Sequence, residues 1–281
     1  MARRSGGGPL ATRPARKAGL ASPVVSKVIE VGEGFWNVRG SFRVGGVVNI
    51  GTQMSLVRLA NGRFVLLDAC ALDGSARSLI DERTGGGEKL AAILHLHPFH
   101  TIHVRAAHAA YPTAKLYGTS RHKTKFNDLP WEATCTEDEE TARLFADDLE
   151  LSVPRGVDFV PADPNLHFSS VLAFHRASKS LHVDDTLVAA NLPRIFGGTM
   201  IRFHPTLAKV LERRAGATDD FRTWARELVT RAATIENVCA AHLAPVLGRD
   251  DPRRTIAEHI ETALAKVEGK LAAHAQKHSA R

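Results

Sequence analysis

The sequence predicts a layered α/β protein, in which helices pack on the outer faces of β-sheets. The chain opens with segments rich in Val, Phe, Ile and Leu, a composition typical of strands. Apolar segments of strand length then alternate with helical ones, and an amphipathic helix closes the chain. With 281 residues, of which 44% are hydrophobic and 24% charged, the chain has the composition of a globular protein with a sizeable core.

The chain is predicted to be mostly β from about residue 28 to residue 97. Three segments are typical of antiparallel strands: residues 35–44, 47–60 and 63–72. Asn61-Gly62, between the last two, is the strongest short signal for a hairpin. We expect a short helix near 76–84. The continuous apolar run at 90–97 then predicts a strand that is covered on both faces.

Beyond residue 100, predicted helices and strands alternate. Helices are expected over residues 101–111, 135–149, 205–214, 219–233 and 253–276. Strands are expected over 114–119 and 236–246, and as a pair joined by a turn over 171–190. Thr136 followed by Glu139 predicts a capping box. The last helix has one apolar stripe, formed by Ile256, Ile260, Leu264, Val267 and Leu271.

We expect one continuous domain over residues 28–250, followed by a helical segment at 251–281 that packs on it or extends from it. Residues 1–27 are rich in Gly, Pro and Arg and precede the first acidic residue, Glu30, which predicts a disordered basic tail. An organellar transit peptide is the alternative. Much of the net charge of +7 therefore lies in the tail, which argues against a nucleic-acid-binding face.

The cysteines and the hydropathy pattern indicate the compartment. Cys70, Cys135 and Cys239 are odd in number and far apart, which argues against a disulfide framework and favours a reducing, cytoplasmic location. Import into an organelle through the basic tail is the alternative. No apolar stretch approaches the length that spans a bilayer. We expect a small-molecule substrate and no membrane partner; the oligomeric state stays open.

A histidine cluster ends the apolar run "AAILHLHPFH". His95 and His97 are two residues apart, so in an extended segment their side chains project from the same face. A turn after Pro98 would bring His100 beside them. Because imidazole is a common ligand of zinc and iron, the cluster predicts a metal site. The alternative is a polar strand end that faces solvent.

The order of features along residues 30–248 resembles the metallo-β-lactamase fold superfamily. The segments that carry the resemblance are "RFVLLDA" with Asp68, "HLHPFH", "SLHVDDTL" with Asp185, and "CAAHLAP" with His242. The resemblance implies an αββα sandwich, in which two mixed β-sheets are flanked by helices. "AAYPTAKLYGT" and "FHRAS" further resemble a branch of that superfamily described only as a domain of unknown function, which often lacks parts of the metal motif.

The resemblance also implies the site residues. The implied metal ligands are His95, His97, His100, His167, Asp185 and His242, and the implied catalytic residues are Asp185 and His242. His175 is the second choice for the ligand assigned to His167. We expect Asp68 to be structural, Asp184 to face solvent or cap a loop, His182 to pack or pair across its strand, and His122 to lie on a helix surface or loop.

Phe99 departs from the pattern of the superfamily, because the motif has an Asp at this position. Two hypotheses follow. The first is a hydrolase that activates water with one or two zinc ions, or with iron or manganese, and acts on an ester, thioester, lactone or phosphodiester. The second is a degenerate member of the superfamily that binds no metal and acts as a binding or scaffolding module.

Overall fold

A computed structural model describes residues 26–44, 48–192, 198–250 and 253–279. The tail predicted over 1–27 lies outside these residues except for Ser26 and Lys27. Ser26 is buried, and its hydroxyl donates to Asp73 Oδ2 at 2.7 Å, which anchors the start of the first strand at Lys27.

Strands and helices alternate along the described chain. The strands are β1 (Lys27–Gly32), β2 (Phe35–Gly40), β3 (Arg43–Val44), β4 (Val48–Asn49), β5 (Thr52–Arg58), β6 (Phe64–Leu67), β7 (Leu90–Leu94), β8 (Lys115–Tyr117), β9 (Leu149–Ser152), β10 (Leu172–His175), β11 (Ser180–His182), β12 (Leu187–Asn191), β13 (Thr199–Phe203), β14 (Asn237–Cys239) and β15 (Val246–Leu247). The helices are α1 (Gly74–Thr84), α2 (Val104–Ala110), α3 (Ser120–Lys125), α4 (Glu139–Leu144), α5 (Leu207–Val210), α6 (Ala217–Ala232) and α7 (Ile256–His278).

Two mixed sheets form the centre of the molecule. The first has the strand order β1-β2-β5-β6-β7-β8, and the second has the order β15-β14-β11-β10-β9. In the first sheet β6, β7 and β8 run parallel, with α1 and α2 as the crossovers between them. In the second sheet β11 and β14 are parallel. Parallel pairing places the carboxyl ends of neighbouring strands at the same edge of a sheet.

Three apolar cores separate four layers. Between the sheets, Val57 and Leu94 of the first sheet are buried in the same cluster as Ala173 and Cys239 of the second. The outer face of the first sheet packs against α1 and α2, where Ile80 is fully buried. The outer face of the second sheet packs against α6 and α7. This αββα order confirms the predicted α/β sandwich.

The Asn61-Gly62 turn joins β5 to β6 as predicted. Gly62 has a φ of 79°, a left-handed conformation that a residue with a side chain rarely adopts. Its N–H donates to the Leu59 carbonyl at 2.9 Å, which closes the turn.

The prediction of one long helix over 135–149 is wrong. The described helix, α4, is short, and the chain re-enters the second sheet as β9. Thr136 does not cap a helix, because its hydroxyl donates to the His95 carbonyl at 2.9 Å. A capping box does occur at α3, where Thr119 and His122 exchange hydrogen bonds.

The C-terminal helix α7 packs on the sandwich rather than extending from it. Ile260 and Leu271 are fully buried in the core that α7 shares with α6 and the second sheet. At the helix surface, Arg222 of α6 forms an ion pair with Glu268 at 2.6 Å. None of the described helices is both long and apolar enough to cross a bilayer.

Candidate metal centre

The ends of several strands meet at one edge of the sandwich, and each carries a candidate ligand. His97 and His100 follow β7, Asp185 follows β11, and His242 follows β14. His167 lies in the irregular segment before β10. Active sites of layered α/β proteins commonly lie at such strand ends.

Asp185 lies at the centre of the cluster. Its Oδ2 is 3.4 Å from His97 Nε2, 3.5 Å from His100 Nε2 and 3.5 Å from His167 Nδ1. Its Oδ1 is 3.2 Å from His242 Nε2. One candidate ligand atom from each of His97, His100, His167 and Asp185 lies within 4.8 Å of the others. The structure thus brings together five of the six residues that the sequence singled out.

His95, the sixth, does not join this cluster. Its ring packs against His122, with centroids 5.2 Å apart, and against Trp131 at 6.0 Å. Both of its ring nitrogens are buried without a hydrogen-bond partner, and burial holds the pKa of the ring well below its usual value. The expectation that His95 projects beside His97 assumed a regular strand through both residues, whereas β7 ends at Leu94.

His175 and His122 also differ from their expected places. His175, the second choice for His167, is buried in β10, where its Nδ1 lies 2.8 Å from the Ser178 hydroxyl. His122 is fully buried rather than at a surface, because its ring fills the space beneath Trp131 and closes the capping box of α3.

Phe99 fills the position where the motif has its carboxylate. Its ring stacks on His167, with centroids 5.0 Å apart and planes 18° apart. The Arg121 guanidinium covers Phe99 as well, with Cζ 4.4 Å from the ring centroid. The Phe99 side chain offers no ligand atom, and it supports the ring of a candidate ligand instead.

Burial and neighbouring charges shift the pKa values of several members of the cluster. Burial opposes the charged form of Asp185, but hydrogen bonds from His100, His167 and His242 outweigh it and hold the pKa of Asp185 well below its usual value. Burial also opposes protonation of His100, yet Asp184 and Asp185 raise its pKa well above the usual value. Burial, followed by repulsion from His100, lowers the pKa of His97 to about 3, so that this ring is neutral.

A second buried group lies behind the cluster and links the two sheets. His182 Nε2 is 3.1 Å from Asp68 Oδ2, and its Nδ1 is 2.9 Å from the Ser55 hydroxyl. Gln53 Nε2 donates to Asp184 Oδ1 at 3.3 Å. These five residues come from both sheets: Gln53 and Ser55 from β5, Asp68 from the end of β6, and His182 and Asp184 from the end of β11. As expected, His182 pairs across strands, here with Asp68. Candidate ligand atoms of Asp68, His182 and Asp184 lie within 4.8 Å of one another, so that this buried group could also hold a metal ion.

Further bonds tie the same two sheets together. Gln53 also donates to the Val183 carbonyl at 2.8 Å and to the Cys239 carbonyl at 3.1 Å. Arg39 of β2 donates to the carbonyls of Ala240 and Ala241, at 2.7 and 3.1 Å. The donors belong to strands of the first sheet. The acceptors lie at the ends of strands of the second sheet or directly after them.

Asp184 was expected to face solvent or cap a loop, and this expectation is wrong. Asp184 is fully buried, and its Oδ1 lies 3.5 Å from His100 Nδ1. Successive side chains of an extended segment point in opposite directions. Asp185 therefore faces the cavity while Asp184 points back into the sandwich. Two adjacent carboxylates at a strand end are the feature of the sequence that indicates such opposite directions.

The hydrogen bonds of two histidines leave a ring nitrogen available to a metal. His167 Nε2 lies 2.9 Å from the Pro164 carbonyl, and His242 Nδ1 lies 3.0 Å from the Gly51 carbonyl. Because a carbonyl only accepts, these nitrogens carry the protons. The opposite nitrogens face Asp185, and a metal would bind them in place of the protons that they share with this carboxylate. Carbonyl bonds of this kind orient histidine ligands in metal sites.

The distances from Asp185 Oδ2 to the histidines also suit a metal. Ligand atoms of a tetrahedral zinc ion, each about 2.0–2.1 Å from the metal, lie roughly 3.4 Å apart. The distances from Asp185 Oδ2 to the three ring nitrogens are close to this value. His97 would have to give up the proton on Nε2 before this nitrogen could bind a metal. Its Nδ1 accepts a hydrogen bond from the Phe99 N–H at 3.1 Å, so the proton of the neutral ring is on Nε2. Three imidazoles and a carboxylate are a donor set that fits zinc.

A cavity of about 350 Å³ opens above the cluster. His100, His167, Asp185 and His242 line it, and so do His103, which was expected on a helix surface or loop, and Asn165 and His204, which the sequence did not single out. A volume of this order lies within the range of small-molecule sites. His103 and Asn165 carry no distinguishing pattern in the sequence, because they reach the cavity from loops.

Comparison with known proteins identifies the fold. No protein-family model matches the sequence, and no curated protein matches it. Among solved structures, a metallo-β-lactamase from Erythrobacter litoralis with β-mercaptoethanol in its active site is 12% identical, with a TM-score of 0.56 over 86% of this chain and 96% of that one. A metallo-β-lactamase from Hirschia baltica is 12% identical, with a TM-score of 0.55 over 85% of this chain and 97% of that one.

A third similar structure is the metallo-β-lactamase FIM-1 from Pseudomonas aeruginosa in its mono-zinc form. It is 12% identical, with a TM-score of 0.55 over 87% of this chain and 96% of that one. Similarity at this level of identity establishes architecture and not activity. The four layers, the strand-end cluster and these similarities together show that the chain has the metallo-β-lactamase fold.

Proposed function

We propose that this protein is a metal-dependent hydrolase of a small substrate that binds in the cavity above Asp185. The observation that carries the proposal is the convergence of three histidine nitrogens on Asp185 Oδ2, at 3.4 to 3.5 Å, beneath a cavity of suitable size. His97, His100, His167 and Asp185 would hold the metal. Zinc is the first candidate, because the donor set suits it and the similar FIM-1 structure is a mono-zinc form.

When bound, the metal would lower the pKa of a water molecule and polarise the substrate oxygen. The chain's own residues supply the remaining chemistry. Asp185 Oδ1 and His242 Nε2, 3.2 Å apart, can hold a proton between them. His242 can pass this proton to the leaving group, and its bond to the Gly51 carbonyl keeps the ring in the required orientation.

The test is metal content and metal-dependent hydrolysis of the purified protein. We expect about one zinc ion per chain and hydrolysis of an activated ester that a chelator abolishes and zinc restores. Asp185→Asn and His167→Ala should each lower kcat/KM by about 100-fold or more, because each removes a ligand. His274→Ala, which changes a histidine of α7, is the matched control and should leave the rate unchanged. Absence of zinc, iron and manganese above trace contradicts the proposal.

A specific pair of observations favours a second candidate function. His95 turns away from the cluster, and Phe99 replaces a carboxylate, so the donor set is smaller than that of the motif which the chain resembles. A chain that binds metal or a ligand without hydrolysis would be a binding module. Stoichiometric zinc with no turnover of esters, thioesters, lactones or phosphodiesters would favour this second function over the first.

A further inference from the structure

The lining of the cavity has a large apolar part. Phe42, Ile50, Ala69, Phe99 and Ile102 all line it. Two of them are unusually exposed for large apolar side chains, Phe42 at 36% and Ile102 at 66%. Exposed apolar side chains that gather at a concave site mark a surface that a ligand covers.

In the described lining of the cavity, the groups that can carry positive charge are histidines, and two of them pair with buried carboxylates: His100 with Asp184 and His242 with Asp185. Among the described residues that line it there is no lysine or arginine. The nearby Arg121 donates to the Pro98 carbonyl at 3.1 Å and covers Phe99, and Lys125 donates to the Thr101 hydroxyl at 2.7 Å. Neither of these two cations lines the cavity. Apart from the metal proposed above, phosphate and carboxylate groups are ordinarily bound by such cations.

We infer that the substrate is an uncharged acyl compound, an ester, thioester or lactone, whose aliphatic acyl chain packs against Phe42, Ile50 and Ile102. This inference rests on the proposed hydrolase function and selects among its substrates. In the reaction the oxygen of water bonds to the acyl carbon and the C–O or C–S bond breaks. The alcohol or thiol leaves with a proton, and the carboxylic acid releases another.

Chain length and charge of the substrate provide the first test. The zinc-loaded protein is given p-nitrophenyl acetate, butyrate and octanoate, and bis(p-nitrophenyl) phosphate. Burial of each methylene should raise kcat/KM by roughly fourfold until the cavity is filled. The phosphodiester should be the poorest substrate of the four. Preference for the phosphodiester, or equal rates on acetate and octanoate, would overturn the inference.

Matched variants localise the acyl-binding surface. Ile102→Asn should lower kcat/KM for the octanoate ester by about tenfold and for the acetate ester by less than about twofold, because only the long chain reaches this side chain. Leu144 of α4 is 60% exposed and does not line the cavity, so Leu144→Asn should change neither rate. An equal loss on both esters would contradict a role in acyl binding.

A binding measurement separates this inference from the hydrolase proposal. Calorimetry of metal-free protein with 1-octanol and 1-butanol measures apolar binding without any reaction. We expect octanol to bind at least about tenfold more tightly, and Ile102→Asn to abolish the difference. Octanol binding without ester hydrolysis would refute the hydrolase function alone. Ester hydrolysis with no preference between the alcohols or the esters would refute the acyl substrate alone.

Discussion

Phe99 lies between the Arg121 guanidinium and the His167 imidazole. His167 comes from an irregular segment and its side chain is 39% exposed, so neither a strand nor a helix holds its ring in place. The stacked ring on one side and the Pro164 carbonyl bond on Nε2 restrict the imidazole in two directions. Both contacts direct Nδ1 towards Asp185.

Loss of the Phe99 ring should therefore weaken metal binding. We expect Phe99→Ala to raise the Kd for zinc by about tenfold, which is typical when a group that orients a ligand is removed. Phe99→Tyr keeps the stacked ring and should keep the affinity. Competition with a chromophoric chelator measures both Kd values, and a parallel melting curve of the metal-free proteins shows whether the fold is intact. Unchanged zinc affinity in an intact Phe99→Ala protein would rule out the supporting role.

The sequence predicted which residues would lie near the site better than it predicted the direction in which each side chain points. His97, His100, Asp185 and His242 all follow apolar strands, and strand ends converge whatever the local geometry. The direction of His95, in contrast, depends on the residue at which β7 ends, a detail that tertiary packing decides. His167 could be named only through the family resemblance, because its loop has no periodicity.

Helix α7 shows how an element contributes to the site from a distance. Its fully buried Ile260 belongs to the core that also contains Val183, the residue directly before Asp184 and Asp185. The apolar stripe that predicted the helix is the face that packs there. Helix α7, which lies behind the second sheet, thus helps to support the strand end that carries Asp184 and Asp185.

Shortening Ile260 should destabilise the whole sandwich. We expect Ile260→Ala to lower the free energy of unfolding by about 2–5 kcal/mol, because a fully buried side chain leaves a cavity. Lys266 is exposed on the same helix, and Lys266→Ala should change the value by less than about 0.5 kcal/mol. Urea denaturation followed by circular dichroism measures both. A small effect at Ile260 would mean that α7 is not part of the cooperative fold.

Elements with long periodic patterns were predictable, and short ones were not. The helices α6 and α7 and the hairpin at Asn61-Gly62 match the prediction closely. The helix expected over 135–149 became a short helix followed by a strand, because β10 pairs with Leu149–Ser152. This pairing joins distant segments and leaves no periodic trace in so short a strand.

At the scale of the whole molecule, metal binding should stabilise the fold. Zinc at 100 times its Kd would add about 2.7 kcal/mol to the free energy of unfolding, because it binds the folded cluster and not the unfolded chain. For a chain of this size that corresponds to a rise in Tm of roughly 5–10 °C. Calorimetric melting with and without zinc measures it. His167→Ala should reduce the shift and His274→Ala should not; an equal shift in both variants would place the zinc elsewhere.

The bonds between the two sheets have a consequence for how the sandwich can move. Apolar faces tolerate sliding, since their contacts have no direction. Gln53 and Arg39, however, donate across the gap to carbonyls at residues 183 and 239–241. A slip of one residue along a strand, about 3.4 Å, would leave the buried Gln53 amide and the half-buried Arg39 guanidinium without these acceptors. These directional bonds therefore fix how the end of β7 aligns with the ends of β11 and β14. The same alignment sets the spacing of the candidate ligands at the metal centre.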